Sequence, residues 1–396
     1  MGAVSGLGTT YNLPNYTGTL HLLTPTDTPF FSAIGGLNGG KQTTSTAFEW
    51  QTEDIAAASQ PSIVEGATAP TAAERSRSNV SNVVQIHQEQ VSIAYSKLAA
   101  IGLKAGINND LSNPVTNERD HQIGLTLKKM VRDIEYSFIN GTYQAPANNS
   151  TGRQTRGILS AISTNAVVAE TLVGDGASVW EADDEVITEA NHGLAVGDRV
   201  RIAITSGATG ATAGYFYVRT VPTANTFTVS TTKALTAVQA ISADGVVDVY
   251  KQPAITVTLI EDMLQTVYEA GGIMDTGSAA LLVGSAQKRG LSSAYASAYG
   301  KFQETSRTVG GVAVDTIVTN FGQLNVMLDR HMPSGTIAAV SLEQCAPVYL
   351  EVPDKGHFFA EQLATTGSAE NWQLYGEVGL EYGSELAHGK ITNLFF

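Results

Sequence analysis

The sequence predicts an α+β fold with a small antiparallel β module inserted into it. Three stretches carry that prediction: apolar–polar alternation within 46–97, an apolar stripe at spacings of three and four within 114–140, and short glycine-punctuated strands over 170–252. At 396 residues the chain is long enough for two or three domains, each with ample core.

Residues 1–45 read as an arm. Pro14, Pro25 and Pro29 and the group Gly35, Gly36, Gly39 and Gly40 leave it little regular structure, and Phe30, Phe31 and Ile34 are its one apolar anchor. An arm of this length without periodicity is either disordered or laid across another surface. Thr46 to Glu53 and Val83 through Tyr95 then alternate as two strands of an extended hairpin. Between them lies a long stretch of Ala, Ser, Thr and Pro that builds no core, and such a hairpin needs a surface to rest on.

Ser112-Asn113-Pro114 is a helix-start signal, and Ile123, Leu127, Met130/Val131, Ile134 and Phe138 follow as one stripe closed by Gly141. The helix over 114–140 would be about 37 Å long. Lys128, Lys129, Arg132, Asp133 and Glu135 fall off the stripe, as a solvated or intersubunit face. Over 170–252 the strands Glu185–Thr188, Asp198–Ile202, Tyr215–Arg219, Thr226–Val229 and Val246–Tyr250 alternate with glycine turns, which predicts a small barrel or sandwich. Thr258 and Glu261 form a capping-box pattern for a helix that Gly271-Gly272 stops. Ala279–Val283 reads as a buried strand and Ser285 as the cap of a second helix. From Val309 the signals are mainly strands: Val312–Val318, Leu324–Leu328, Ile337–Leu342, Tyr349–Val352, and a last stretch from Trp372 to Phe396.

Charged residues make up 15% of the chain against roughly 25% in ordinary soluble proteins. Surfaces of small neutral groups suit extensive protein–protein contact, because little charge must be desolvated; secreted or β-rich bacterial proteins share the bias. A net charge of −14 argues against a broad basic face for nucleic acid or an anionic membrane. The single cysteine, Cys345, excludes an intrachain disulfide framework. No leader pattern and no apolar run of spanning length is present, so synthesis in the cytosol is expected and the sequons at Asn15 and Asn140 carry no meaning.

No catalytic motif emerges. None of the seven histidines sits two or four residues from another, and no phosphate-binding loop, dinucleotide fingerprint or nucleophile elbow is present. Val283-Gly284-Ser285 lacks the second glycine of such an elbow. Glu181, Asp183, Asp184 and Glu185 lack calcium-loop spacing and read as a solvated turn. In Asn191–Asp198, Gly193 and Gly197 permit positive φ, Asp198 can bond local amides, and His192 is a turn residue. Arg75 and Arg77, near Glu65 and Glu74, make intersubunit ion pairs or simply keep the hairpin tip soluble.

Several runs resemble the major capsid proteins of tailed double-stranded DNA bacteriophages. They are Tyr16 to Leu20, Thr26-Asp27-Thr28-Pro29-Phe30-Phe31, Phe48 to Glu53, Glu65-Gly66, and Glu135-Tyr136-Ser137-Phe138-Ile139-Asn140-Gly141. The element order is similar as well, over everything outside 170–252. The resemblance implies a Hong Kong 97-like capsid fold: N-terminal arm 1–45, E-loop hairpin 46–97, peripheral domain 98–169 with the spine helix 114–140, inserted β domain 170–252, axial domain 253–330, and peripheral strands with the C-terminus over 331–396. The inserted pattern His192-Gly193-Leu194, Gly197-Asp198, Tyr215–Val218 and Phe227-Thr228-Val229 is similar to small β modules of viral structural proteins.

The resemblance implies a non-enzymatic shell protein that assembles with itself into hexamers and pentamers of an icosahedral head in the host cytoplasm and resides in the virion capsid. It would enclose DNA without sequence-specific binding and meet a portal and separate scaffolding or decoration proteins, with no membrane and no cofactor. Expected intersubunit contacts are Phe30, Phe31, Phe48, Trp50, Glu65, Arg75, Arg77, Lys128, Lys129 and Arg132. Lys41 and several asparagines are available for cross-linking, but no motif demands it. A cellular nanocompartment is the near variant, disfavoured by the outer module and the lack of a cargo signal. The alternative of another class is a surface-binding protein whose module recognises carbohydrate or protein through a solvent-facing strip of Trp180, Tyr215 and Tyr217.

Overall fold

The computed structural model describes residues 22, 24–53, 55, 58–60, 62–69, 71, 75, 77–99, 115, 117–148, 150–174, 176–272, 279–299, 305–309, 312–365 and 367–395. Most of the expected arm and the Ser112-Asn113-Pro114 signal lie outside them. Two compact units result, Met1–Ser160 with Ala346–Glu381 and Ala161–Cys345 with Tyr382–Phe396.

The first unit joins a long helix to a five-stranded sheet. The helix runs Glu118–Asn140, and Asn117 is its cap, accepting from the N–H groups of Arg119 and Asp120 at 3.1 and 3.4 Å. Glu118 and Asp120 add negative charge to the first turn, where the helix dipole favours it. At the other end Gly141 donates to the Ser137 carbonyl at 2.8 Å. A Cβ there would stand 2.5 Å from the Thr155 carbonyl oxygen, so glycine is required by close approach rather than by φ. Met130, Ile134 and Phe138 are fully buried, and Ile123 and Leu127 partly so, as the stripe predicts.

Glu135 is the exception on that helix. Expected on a solvated face, it is fully buried, and its two carboxylate oxygens accept the N–H groups of Phe30 and Phe31 at 2.8 and 2.6 Å. These are free donors of the short helix Pro29–Ala33, whose own cap residue Thr28 makes no side-chain cap. The Phe31 ring meets Phe138 edge-on at 5.6 Å. The apolar anchor of the arm is thus docked within its own chain by rings and a charge together.

The sheet order is Lys41–Thr43, Ala346–Leu350, Ala369–Glu381, Phe358–Gln362, with Gln85–Ala94 also paired along Ala369–Val378. That last pairing corrects the expected hairpin. Ala47–Glu53 pairs with Arg77–Val83, not with Val83–Tyr95. Asn82 marks the change of sheet, donating to the Leu380 carbonyl at 2.7 Å and accepting from the Arg156 N–H at 2.8 Å.

The second unit carries a seven-stranded sheet in the order Thr305–Val309, Val312–Thr319, Gly322–Leu328, Ala279–Val283, Ile337–Ser341, Gly389–Thr392, Ala166–Val168. Ala279–Val283 is central, flanked on both sides, and all five of its residues are buried. Ile260, Met263 and Leu264 of helix Val257–Glu269 and Leu291 of helix Ser285–Tyr299 share its apolar core. Thr256 rather than Thr258 caps the first of these helices, accepting from Leu259 N–H at 3.3 Å, and Ser285 is the first helical residue of the second rather than its cap. The strands 337–341 and 389–392, expected with the peripheral part, belong here, as does 166–168 from the expected 98–169 segment; only 346–381 returns to the first unit.

Between these strands, residues 171–251 form a second seven-stranded sheet that closes on itself, because Gly245–Lys251 pairs both with Ser178–Trp180 and with Arg199–Gly207. Alternation sends Val200 and Ile202 inward and Arg199 and Arg201 outward. Trp180 is fully buried and meets Phe216 edge-on at 5.9 Å, which overturns the expected solvent-facing role of Trp180. Trp180→Ala should cost about 3–5 kcal/mol, seen by calorimetry of the full chain as a lowered midpoint; a surface tryptophan would leave that midpoint unmoved.

Candidate assembly surface

The hairpin Ala47–Glu53/Arg77–Val83 pairs with no other strand among the described residues. Its base is secured, since Phe48 is buried with Val84 and Val348, stacks on Trp50 at 6.0 Å, and rests where a side chain on Gly379 would collide with its ring. Beyond Glu53 every described residue up to Arg77 is exposed. Ile55, Ile63 and Val64 are 85%, 62% and 78% exposed. Ala67 N–H donates to the Val64 carbonyl at 3.2 Å and Gly66 takes φ +80°, which makes a turn at the tip. Three large apolar side chains on a two-stranded ribbon are held away from any core of their own, a pattern that marks a contact surface.

The first unit also has two hollows. One is apolar and half-open, about 390 Å³, lined by Ile123, Leu127 and Met130 of the long helix, by Phe358 and Leu374 of the sheet, and by Leu37. The other is a polar groove of about 570 Å³ between Gln85–Glu89 and the helix face Met130, Asp133, Tyr136 and Ser137. At its wall His87 is buried, its Nε2 has no hydrogen-bond partner, and burial pulls its pKa down to about 4. The folded value lies below the ordinary 6.5, so between pH 6.5 and about 4 the unfolded chain takes up the proton more readily. Stability should therefore fall by up to about 3 kcal/mol as pH drops through that window. His87→Leu should flatten part of the slope in urea titrations at pH 7 and 4.5. His388, also lowered by burial, keeps its own share.

The predicted contact residues divide in two. Phe30, Phe31 and Phe48 are buried within the chain and Trp50 partly so, which removes the three phenylalanines from any intersubunit contact. Glu65, Arg75 and Arg77 are exposed on the hairpin, with Arg77 3.6 Å from Glu53. On the long helix Lys128 is exposed, Arg132 is half-buried, and Lys129 pairs with Glu89 and with Asp133. Side-chain type did not flag Ile55, Ile63 and Val64; their signal was isolation within a polar, Ala- and Ser-rich stretch.

Nothing converges as a reaction centre would. No group of three or more metal-ligating side chains occurs among the described residues. His192 accepts from Leu194 N–H at 3.0 Å through Nδ1, and Asp198 accepts from Ala195 N–H at 2.8 Å, so the 191–198 loop is an internally bonded turn. Cys345 is buried. No helix among the described residues is long and apolar enough to cross a membrane.

A family model described as SU10 major capsid protein matches residues 3–395. Among solved structures, the capsid asymmetric unit of cyanophage A-1(L) is similar over 99% of both chains, with TM-score 0.53 and 12% identity. The holo-SrpI encapsulin complex of Synechococcus elongatus PCC 7942 gives TM-score 0.49 and 10% identity over 96% of this chain and 92% of that one. The capsid of cyanophage P-SCSP1u gives 0.46 and 10% over 98% of both. No curated protein sequence matches the chain.

Proposed function

Because the chain belongs to the SU10 major capsid protein family and has the Hong Kong 97-like fold, we propose that its copies join as hexamers and pentamers of an icosahedral shell through the hairpin 47–83. The protein is a structural capsid shell protein of the phage head. The observation that carries the proposed contact is the unpartnered hairpin with Ile55, Ile63 and Val64 exposed at its far end. The half-open apolar hollow of Ile123, Leu127, Phe358 and Leu374 on a neighbouring copy is the matching receiver. A knob on one face and a hollow on another make a heterologous contact, which closes into rings when the rotation allows.

Under this reading Glu65, Arg75 and Arg77 align the tip, and Lys128, Lys129 and Arg132 form the charged rim of the receiving helix. Rim charges contribute to register and association rate more than to affinity. The inserted domain 171–251 projects from the shell, and DNA is enclosed without sequence-specific contacts, in keeping with the net charge of −14. No catalysis is assigned. Assembly in the host cytoplasm, a portal, and separate scaffolding or decoration proteins complete the proposal. Negative-stain electron microscopy with light scattering tests it: shells, tubes or ring-shaped capsomers support it. A protein that stays monomeric with any scaffold supplied would overturn it.

A further inference from the structure

We propose that Asn393–Phe395 is a strap that holds the β module 171–251 in one pose on the rest of its unit and can release it. Covalently the module is joined only through 169–171 and 251–254. The segment 393–395 adds a third attachment. Leu394 is fully buried in the core beneath the seven-stranded sheet, and its N–H donates to the Gly335 carbonyl at 2.9 Å. The residues on either side turn toward the module. Tyr215 donates its hydroxyl to Asn393 Oδ1 at 3.4 Å. The Phe395 ring meets Tyr217 edge-on at 6.5 Å, and Lys233 Nζ lies 5.5 Å from its centre. Phe395 N–H also donates to the Pro253 carbonyl at 2.8 Å and forms a parallel bridge with Ala254, at the module's exit.

Alternation explains the double grip, because successive side chains of an extended segment face opposite ways. Leu394 anchors in one body while Asn393 and Phe395 reach the other. On the module side the partners are a continuous series. Arg199 lies 4.7 Å from the Tyr215 ring and 5.9 Å from the Tyr217 ring, so the strap docks on a stiff aromatic–cationic row across two paired strands. The module-side contacts are few, and Tyr215 is 45% exposed. Such a grip opens at low cost, whereas the Leu394 anchor does not. Anything that covers Phe395 elsewhere would free the module to pivot on its two connectors.

Amide hydrogen exchange on the full chain, compared in one assembly state, tests this with Phe395→Ala and Tyr217→Ala. Both variants should exchange about tenfold faster at 169–171 and 251–254, with the sheet strand 279–283 and the module strands 199–207 and 245–250 unchanged. Unchanged connectors would overturn the strap. So would uniform acceleration across the unit, which would make Phe395 an ordinary packing residue. Lys233→Ala, which leaves the rings in place, should show a smaller effect of the same pattern. None of these outcomes depends on whether the hairpin mediates assembly.

Discussion

Glu135→Ala is expected to destabilise the first unit by about 3–5 kcal/mol, the cost of stripping one side of a buried charge-assisted pair. Two buried N–H groups, those of Phe30 and Phe31, would lose their acceptors at once. Glu135→Gln should be milder, about 2 kcal/mol, because the amide keeps one acceptor oxygen and turns a donor toward the other N–H. With domain stabilities of about 5–15 kcal/mol, the alanine variant stands near the edge of unfolding. The loss should also have an address. The anchor helix Pro29–Ala33 would detach first, so proteolysis should reach the chain near Phe30 before the sheet melts. Urea denaturation of both variants, with cleavage mapped by mass, checks it. A carboxylate on the solvated face first expected for Glu135 would show neither effect.

The second large effect concerns assembly rather than stability. Ile63→Asp with Val64→Asp replaces side chains that are 62% and 78% exposed in the single chain, so the folded subunit should melt as the parent does. Burying each in a neighbour's hollow would contribute about 1.5–3 kcal/mol, and two lost contacts per subunit raise the concentration needed for shells by more than about 100-fold. Sedimentation velocity should show subunits where the parent gives closed particles. Normal shells from the double variant would exclude the hairpin tip as the joining element. Leu127→Asp, in the receiving hollow, should fail in the same way, although as a partly buried core contact it carries some folding cost as well.

How far local pattern reaches is clear from individual elements. The stripe Met130, Ile134, Phe138 was readable because a helix buries one face at a fixed period, and the module's strands were readable because each alternates between core and solvent. Short strands with weak alternation escaped, among them Thr171–Leu172 and Ser178–Trp180, and with them the buried position of Trp180. The return arm of the hairpin was misplaced for a related reason. Arg77–Val83 is largely polar, whereas Gln85–Ala94 alternates well because one face packs on the long helix and its edge pairs with Ala369–Val378. Strong alternation reported a buried face; it did not report which strand lay alongside.

By itself, then, the sequence determined the long helix, the β-rich stretch, the aromatic anchor and the family pattern, all properties of side-chain type at short spacing. Only the tertiary structure decided the partners. It turned Glu135 inward, because the short helix 29–33 comes to rest on it with two unpaired N–H groups. It joined Ile337–Ser341 and Gly389–Thr392 to Ala279–Val283 in one sheet and sent 346–381 to the other unit. Backbone pairing joins groups that every residue except proline carries alike, so it leaves little trace in local composition and is settled by which buried faces meet when the chain closes on itself.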